Sequence, residues 1–371
     1  MCHICHFTSS HSNSDVRIFE KECLSLIDNG YKVTLVAPGD TKVHEGVNIV
    51  GVKRPNKRFK RLLITPKLVY NAVSEIEADL YHFHDPEMIP YARKLARKGR
   101  LVVFDCHENI FDFIKDKAWI PNLIKPLVST AFNSYIKRAI SEFNAVISVD
   151  SLMVEKISKY AQHSVLVSNH PRLKKVKNVN RIPNTIAFAG GINEMWCHEI
   201  VVQAIEEIED AHYVLCGKSS SEYLDRLASY SGWSKVDYKG VVAHDEAESV
   251  LEHASIGIAL LKFNNNVFGK RGTQGNTKIY EEMAAGLPII CSSSDVWKDM
   301  IERYECGICV NPESVDEVRD AIVFLMENPL IAQAMGVRAR RAVEKEYSWL
   351  TQEKNLLSLY DLLLHKQQYR D

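Results

Sequence analysis

Apolar residues along the chain fall into two patterns that take turns. Short continuous runs alternate with longer stretches in which apolar positions recur every three or four residues. The runs in the first half are HICHF (3–7), YKVTLVAP (31–38), ADLYHFHD (78–85), LVVFDCH (101–107), NAVISVD (144–150) and VLVSN (165–169). Runs of this length bounded by polar turns predict strands buried on both faces. The polar loop TSSHSNSD offers several helix caps. It precedes a helix predicted from about Val16 to Asp28, with Phe19, Cys23, Leu26 and Ile27 on one face and Gly30 beyond its end. Strand and helix alternating in this way predict a parallel sheet covered by helices on both faces.

The stretch HPRLKKVKNVNRIPN (170–184) breaks the rhythm. It is basic, holds two prolines and has no period, so it reads as an interdomain linker. The alternation then restarts with TIAFAGG, AHYVLCG, KVDYKG, ASIGIALL, PIICSS and CGICV. The fold class is therefore α/β, with two Rossmann-like doubly wound domains facing across a cleft, one over residues 1–172 and the other over 183–345. A final helix at about 350–371, with leucines at helical spacing in SWLTQEKNLLSLYDLLL, must bury that face and is expected to pack back on the first domain.

Composition narrows the class. The chain has 371 residues, 46% hydrophobic and 25% charged, with a formal net charge of −1. These values describe a globular protein with no global field drawing it to nucleic acid. No apolar run reaches the roughly 18 residues that span a bilayer, and MCHICHFTSS lacks the pattern of an export signal. A cytoplasmic location follows as an expectation. The nine cysteines sit mostly in apolar runs, as reduced buried thiols do. CHICH matches a haem-attachment pattern, and Cys2-x-x-Cys5 with Cys306-x-x-Cys309 matches zinc spacing. Both stretches read as short buried strands instead.

Open parallel sheets bind ligands at the carboxyl edge of their strands. In the second domain, GNTKIYEEMAAGLPIICSS (275–293) begins a helix near Asn276 at that edge, after the loop LLKFNNNVFGKRGTQ. A helix start there suits phosphate. Lys270, Arg271 and Lys278 add cations, and Glu281 lies about one turn in, where a carboxylate accepts bonds from vicinal sugar hydroxyls. Ala284, Ala285 and Gly286 permit close packing. An ordinary amphipathic helix with solvated glutamates is the competing account. In the first domain, HFHDPE and FDCHEN end successive strands with His84, Asp85, Glu87, His107 and Glu108. Strand-end histidines are often caps or surface residues, but two such ends at one edge favour a functional reading. A zinc site of His84, His107 and Asp85 lacks metal-motif spacing.

KIYEEMAAGLPIICSS resembles the nucleotide-sugar segment of retaining glycosyltransferases with the two-Rossmann GT-B fold, chiefly glycosyltransferase family 4. SDVRIFEKECLSLIDNGYKVTLVAP, YHFHDPEMIP and VVFDCHEN resemble the first domain of bacterial members that build surface polysaccharides; GVVAHDEAESVLEHASIGIALL and the last helix fit as well. The resemblance implies a sugar transfer with retention of configuration, from a nucleotide-sugar donor to a saccharide or lipid-linked saccharide, with no cofactor and no metal. It places the ribose-binding glutamate on Glu281 and an acceptor-side histidine on His84; Asp85, His107 and Glu108 join it as candidate catalytic residues from the strand-end pattern. The family's first glutamate falls on Thr273, and the stretch AGGINEMWCHE lacks the family's usual Arg and Lys. The diphosphate then falls to Gly190, Gly191, Arg271, Asn276, Thr277 and Lys278. A nucleotide-sugar 2-epimerase, which would turn over donor alone, and a non-catalytic nucleotide-sugar-binding module are the alternatives.

One stretch bears on location. VKRPNKRFKRLLITPK (52–67) has seven basic residues and no acidic one, with Phe59, Leu62, Leu63 and Ile64 among them. A solvated basic face is the plain account. An enzyme extending a lipid-linked sugar would use it to dock on an anionic membrane surface, which is the expectation favoured here.

Overall fold

The computed structural model describes residues 1–56, 58–107, 109–114, 120–175, 179–264 and 267–368. The chain forms two compact units, Met1–Asn169 with Trp349–Asp371, and His170–Ser348.

The first unit is built on an eight-stranded sheet. Its strands are β1 (His3–Phe7), β2 (Lys32–Pro38), β3 (Lys42–His44), β4 (Val47–Val52), β5 (Leu80–Phe83), β6 (Leu101–Cys106), β7 (Ala145–Ser148) and β8 (Ser164–Leu166). Their spatial order is β3-β4-β2-β1-β5-β6-β7-β8. Every pairing is parallel except β3 with β4. The apolar pattern assigns no element to residues 42–52. The structure makes a hairpin there, turning on Glu45 and Gly46 at φ +46° and +81°. Two residues at positive φ are what a tight hairpin turn requires. The strand order reverses between β1 and β5, so the ends of those two strands form the switch point of this sheet.

The predicted helix at Val16–Asp28 divides in two. Val16–Cys23 is π-helical and only Leu24–Asp28 is α-helical. Asp15 caps the first turn, its Oδ1 accepting from the N–H groups of Arg17 (2.9 Å) and Ile18 (3.0 Å). The helix Trp349–Gln368 lies on this unit, with Trp349, Leu356, Leu359, Tyr360 and Leu363 in the same core as Ile4, Phe19, Leu26 and Leu35. Trp349 Nε1 donates to Ser25 Oγ at 2.7 Å.

The second unit has a six-stranded parallel sheet of β9 (Thr185–Ala189), β10 (His212–Cys216), β11 (Val236–Gly240), β12 (Ile256–Ala259), β13 (Ile289–Ser292) and β14 (Gly307–Val310). The order β11-β10-β9-β12-β13-β14 is that of a dinucleotide-binding sheet, with its switch point between β9 and β12. Alternate residues of each strand feed two cores: Ile186, Phe188, Ile258 and Ile290 one, Ala187, Ala189, Ala259 and Cys291 the other. The segment read as a linker is packed on this unit. Arg181 donates to the carbonyls of Ala254, Ala285 and Gly286 at 2.8, 2.7 and 3.0 Å. Among the described residues, no helix is long and apolar enough to cross a membrane.

Candidate active site

In the first unit the switch point is lined with histidine. Register places His6 of β1 opposite His82 of β5, and His84 follows one residue past the end of β5. All three rings are buried. The His84 side chain does not reach solvent, unlike the sequence expectation. Its Nδ1 lies 3.0 Å from Asp105 Oδ2 and its Nε2 lies 3.1 Å from His6 Nδ1, so both ring nitrogens are engaged inside the unit. The cause is the register of β1, β5 and β6, which carries Asp105 and His6 to either side of it.

Asp105 is the hub of this interior. Arg17 binds it with two parallel bonds, Nε to Oδ2 at 2.7 Å and Nη2 to Oδ1 at 2.9 Å. Burial opposes its ionisation, but the Arg17 charge, the nearby His107 ring and the bonds from His84 and Arg17 outweigh that and hold the carboxyl well below its usual range. Burial drives the His6 and His82 rings well below the ordinary histidine value and lowers His84 too, against the pull of Asp105. The π-helical turn explains how Arg17 and Glu22 share this space. Residues five apart lie about 140° apart on an α-helix, whereas i to i+5 bonding brings them to one face.

Asp85 is a loop anchor. Its Oδ2 accepts from Thr8 Oγ1 at 2.7 Å and from the N–H groups of Ser9 and Ser10, fixing the loop after β1. Among the described polar groups at the surface of this edge are His107, with 21% side-chain exposure, and His11, with 32%. Their rings meet edge to face at 5.2 Å. His11 Nδ1 lies 3.0 Å from Asp15 Oδ2, and that bond raises the His11 pKa. Glu108 falls outside the described residues. Sequence reading singled out neither Arg17, Asp105 nor His11. An arginine and an aspartate 88 residues apart carry no local signal.

In the second unit, the turn after β9 and the helix Lys278–Ala284 meet. A Cβ placed on Gly190 would stand 2.8 Å from Lys278 Cε, so this glycine makes room for the lysine stem. Lys278 Nζ pairs with Glu281 Oε2 at 2.8 Å, both side chains about a quarter exposed. Gly190, Lys278 and Glu281 thus form one cluster at the switch point. The Gly190 N–H is taken by the Cys216 carbonyl at 2.8 Å, which leaves Gly191 as the backbone donor of that turn. Asn276 and Thr277 precede the helix, and the Asn276 Nδ2 is buried with no hydrogen-bond partner. Thr273 is buried, and its Oγ1 accepts from the Gly275 N–H at 2.9 Å. It shapes the loop where the resemblance places a glutamate. Arg271 is exposed on the short turn Gly269–Arg271, and no described bond ties it to the Lys278–Glu281 pair. A cation the sequence reading passed over is Lys262. Its backbone N–H donates to the Met195 carbonyl at 2.9 Å, joining the loops after β12 and β9. Glu282 points the other way, against Gly257 of β12. Burial, reinforced by the charge of Glu281, raises its pKa well above the usual carboxylate value.

This chain belongs to the glycosyltransferases with the two-domain GT-B fold. Residues 21–169 match the model of Glycosyltransferase Family 4, and residues 183–328 match that of Glycosyl transferases group 1. It is 20% identical over 288 residues to the 2-deoxystreptamine N-acetyl-D-glucosaminyltransferase of Niallia circulans, covering 73% of this chain and 71% of that one. Sucrose-phosphate synthase from Thermosynechococcus elongatus shares the fold at a TM-score of 0.75 and 13% identity, with 99% of this chain and 100% of that one covered. Anabaena HepE, solved in complex with UDP and glucose, does so at 0.70 and 10% identity, with 97% and 100% covered.

Proposed function

We propose that this glycosyltransferase moves a sugar from a nucleotide-diphosphate sugar to a saccharide or lipid-linked saccharide, with retention of anomeric configuration. The observation that carries the reading is the Lys278–Glu281 pair against Gly190, at the switch point of the second sheet. Glu281 accepts from the ribose hydroxyls. Lys278, Arg271, the N–H groups of Gly191 and of the first helical turn, and the Asn276 amide meet the diphosphate as it leaves. Fixed donors of this kind stabilise developing negative charge without a metal. His107 and His11 are the imidazoles placed to meet the acceptor in the first unit, and His84 holds Asp105 behind them. HepE's complex with UDP and glucose supports a nucleotide-sugar donor. We place the reaction in the assembly of a bacterial surface polysaccharide, at the cytoplasmic face of the membrane. Supporting the membrane contact, Leu62, Leu63 and Ile64 are 51%, 61% and 41% exposed beside the basic stretch.

The test pairs product analysis with two variants. Incubation with nucleotide sugars and candidate acceptors should yield a glycoside whose anomeric proton coupling matches the donor's configuration. Glu281→Ala should abolish transfer and weaken donor binding by about 1.5–3 kcal/mol, the value of a charged hydrogen bond. Glu282→Gln should keep donor binding, because that side chain is buried against Gly257 of β12, away from the Lys278–Glu281 pair. Equal losses in both variants would overturn the placement of the ribose. Turnover of donor alone into an epimer would replace transfer with isomerisation.

A further inference from the structure

Glu22 is left unpaired as a carboxylate by the hydrogen bonding of the first unit, and burial and the neighbouring Asp105 raise its pKa well above the usual carboxylate range. Its side chain is fully buried, and neither carboxylate oxygen accepts a hydrogen bond. The nearest cation, Arg17, passes 3.2 Å from Oε1 but is already matched by Asp105 and the Val167 carbonyl. The Arg17–Asp105 pair is neutral as a unit, so an ionised Glu22 adds one uncompensated negative charge. Buried charges of that kind are paired, neutralised or bound to a metal, and a buried polar group with no partner points to an ion as one explanation.

Three imidazoles surround that charge. From Glu22 Oε2, His6 Nδ1 lies at 3.7 Å, His82 Nδ1 at 3.8 Å and His84 Nε2 at 3.9 Å. One ligand atom from each of the four residues falls within 4.8 Å of all the others. Tetrahedral zinc, bonded at about 2.0–2.1 Å, sets neighbouring ligand atoms about 3.3 Å apart. The cluster therefore closes on such an ion with side-chain shifts of under about 1 Å. The outer groups are also in place. Asp105 Oδ2 lies 3.0 Å from His84 Nδ1, and with the proton there the Nε2 lone pair faces the centre. The Tyr360 hydroxyl lies 3.2 Å from His6 Nε2, the nitrogen turned away from the centre, and 2.6 Å from His82 Nδ1, a bond the hydroxyl gives up when that nitrogen ligates. His6 Nδ1 and His84 Nε2 stand 3.1 Å apart, a separation that either an N–H on His6 or an ion between the two lone pairs accounts for. Carboxylate and hydroxyl partners on the far nitrogen are how proteins orient metal-bound histidines.

We propose that His6, Glu22, His82 and His84 hold one divalent transition-metal ion of the zinc type, as a closed structural site. Three neutral imidazoles and one carboxylate make a donor set for such an ion. The π-helical turn delivers Glu22 and the β1–β5 pairing delivers the histidines. The site lies wholly in the first unit. It is independent of the reading of donor binding, whose residues belong to the second unit.

The experiment uses full-length protein expressed in zinc-supplemented cells and dialysed against metal-free buffer. Elemental mass spectrometry should find one zinc per chain. Protein made in cobalt medium should show the visible absorption of four-coordinate Co²⁺. Glu22→Gln, close in shape and uncharged, should lower metal retention by at least about tenfold, with far-UV circular dichroism confirming that it folds. His82→Gln gives a second, independent loss. Folded wild-type protein without stoichiometric transition metal from either medium overturns the proposal and leaves Glu22 as a protonated carboxyl. Wild-type retention in folded Glu22→Gln overturns it equally. The wild-type measurement decides the matter even where a variant misfolds.

Discussion

At the scale of single residues, the two strand-end histidines of the first unit do different work. His84 is enclosed, with Asp105 on one nitrogen and His6 on the other. His107 stands at the surface beside His11, its Nδ1 3.8 Å from Asp105 Oδ2. Replacing His84 by alanine leaves a buried carboxylate short of a donor, so His84→Ala should lower stability by about 1–3 kcal/mol in urea unfolding. His107→Ala should change stability little and reduce the transfer rate by about 10²-fold, the usual loss for a proton-transfer or positioning group. If His107→Ala folds and turns over at the wild-type rate, the acceptor does not meet this edge. Glu281 and Glu282 make the same point in the second unit. Neighbours in sequence, one pairs with Lys278 near solvent and the other is buried against Gly257.

Among the elements, the π-helical turn Val16–Cys23 decides most about the interior of the first unit. It aims Arg17 and Glu22 inward together, and it holds because Asp15 caps it. Asp15→Ala should therefore cost about 1 kcal/mol, as lost caps do. Arg17→Met should cost more, about 3–5 kcal/mol, since it strands Asp105 as a buried charge without its partner. An Arg17→Met protein as stable as wild type would mean that Asp105 takes up a proton instead. The helix Lys278–Ala284 is the corresponding element of the second unit. Gly286 at φ +73° ends it, and a Cβ on Gly336 would stand 2.1 Å from the Gly286 carbonyl oxygen, so Gly336 has no space for a side chain.

For the whole molecule, the exposed group of Leu62, Leu63 and Ile64 within the basic stretch makes a prediction about location. Each basic residue near an anionic surface contributes about 1 kcal/mol, and salt screens that attraction. Wild-type protein should sediment with anionic vesicles at low salt and release them as salt rises. Replacing Lys57, Arg58, Lys60 and Arg61 by serine should reduce the binding without changing the melting temperature. Wild-type protein that ignores such vesicles at low salt would leave the stretch as a solvated face.

Much of the architecture is legible in the order of residues. Two rounds of alternating apolar runs and helical periods specify two doubly wound sheets, because a strand buried on both faces must be apolar throughout and a covering helix on one face only. The leucine spacing of the last helix likewise demands a core, and it lies in that of the first unit. Glu281 and Lys278 were legible as well, since both lie within one turn of a helix that starts at a strand's carboxyl edge. The rest depends on contacts between distant segments. Residues 6, 22, 82, 84 and 105 become neighbours only through strand register and a π-helical turn, and apolar periodicity encodes neither. For the same reason the sequence does not reveal that His84 is an interior residue. A strand's alternation says which residues share a face, but the neighbouring strands determine whether that face meets water or other side chains.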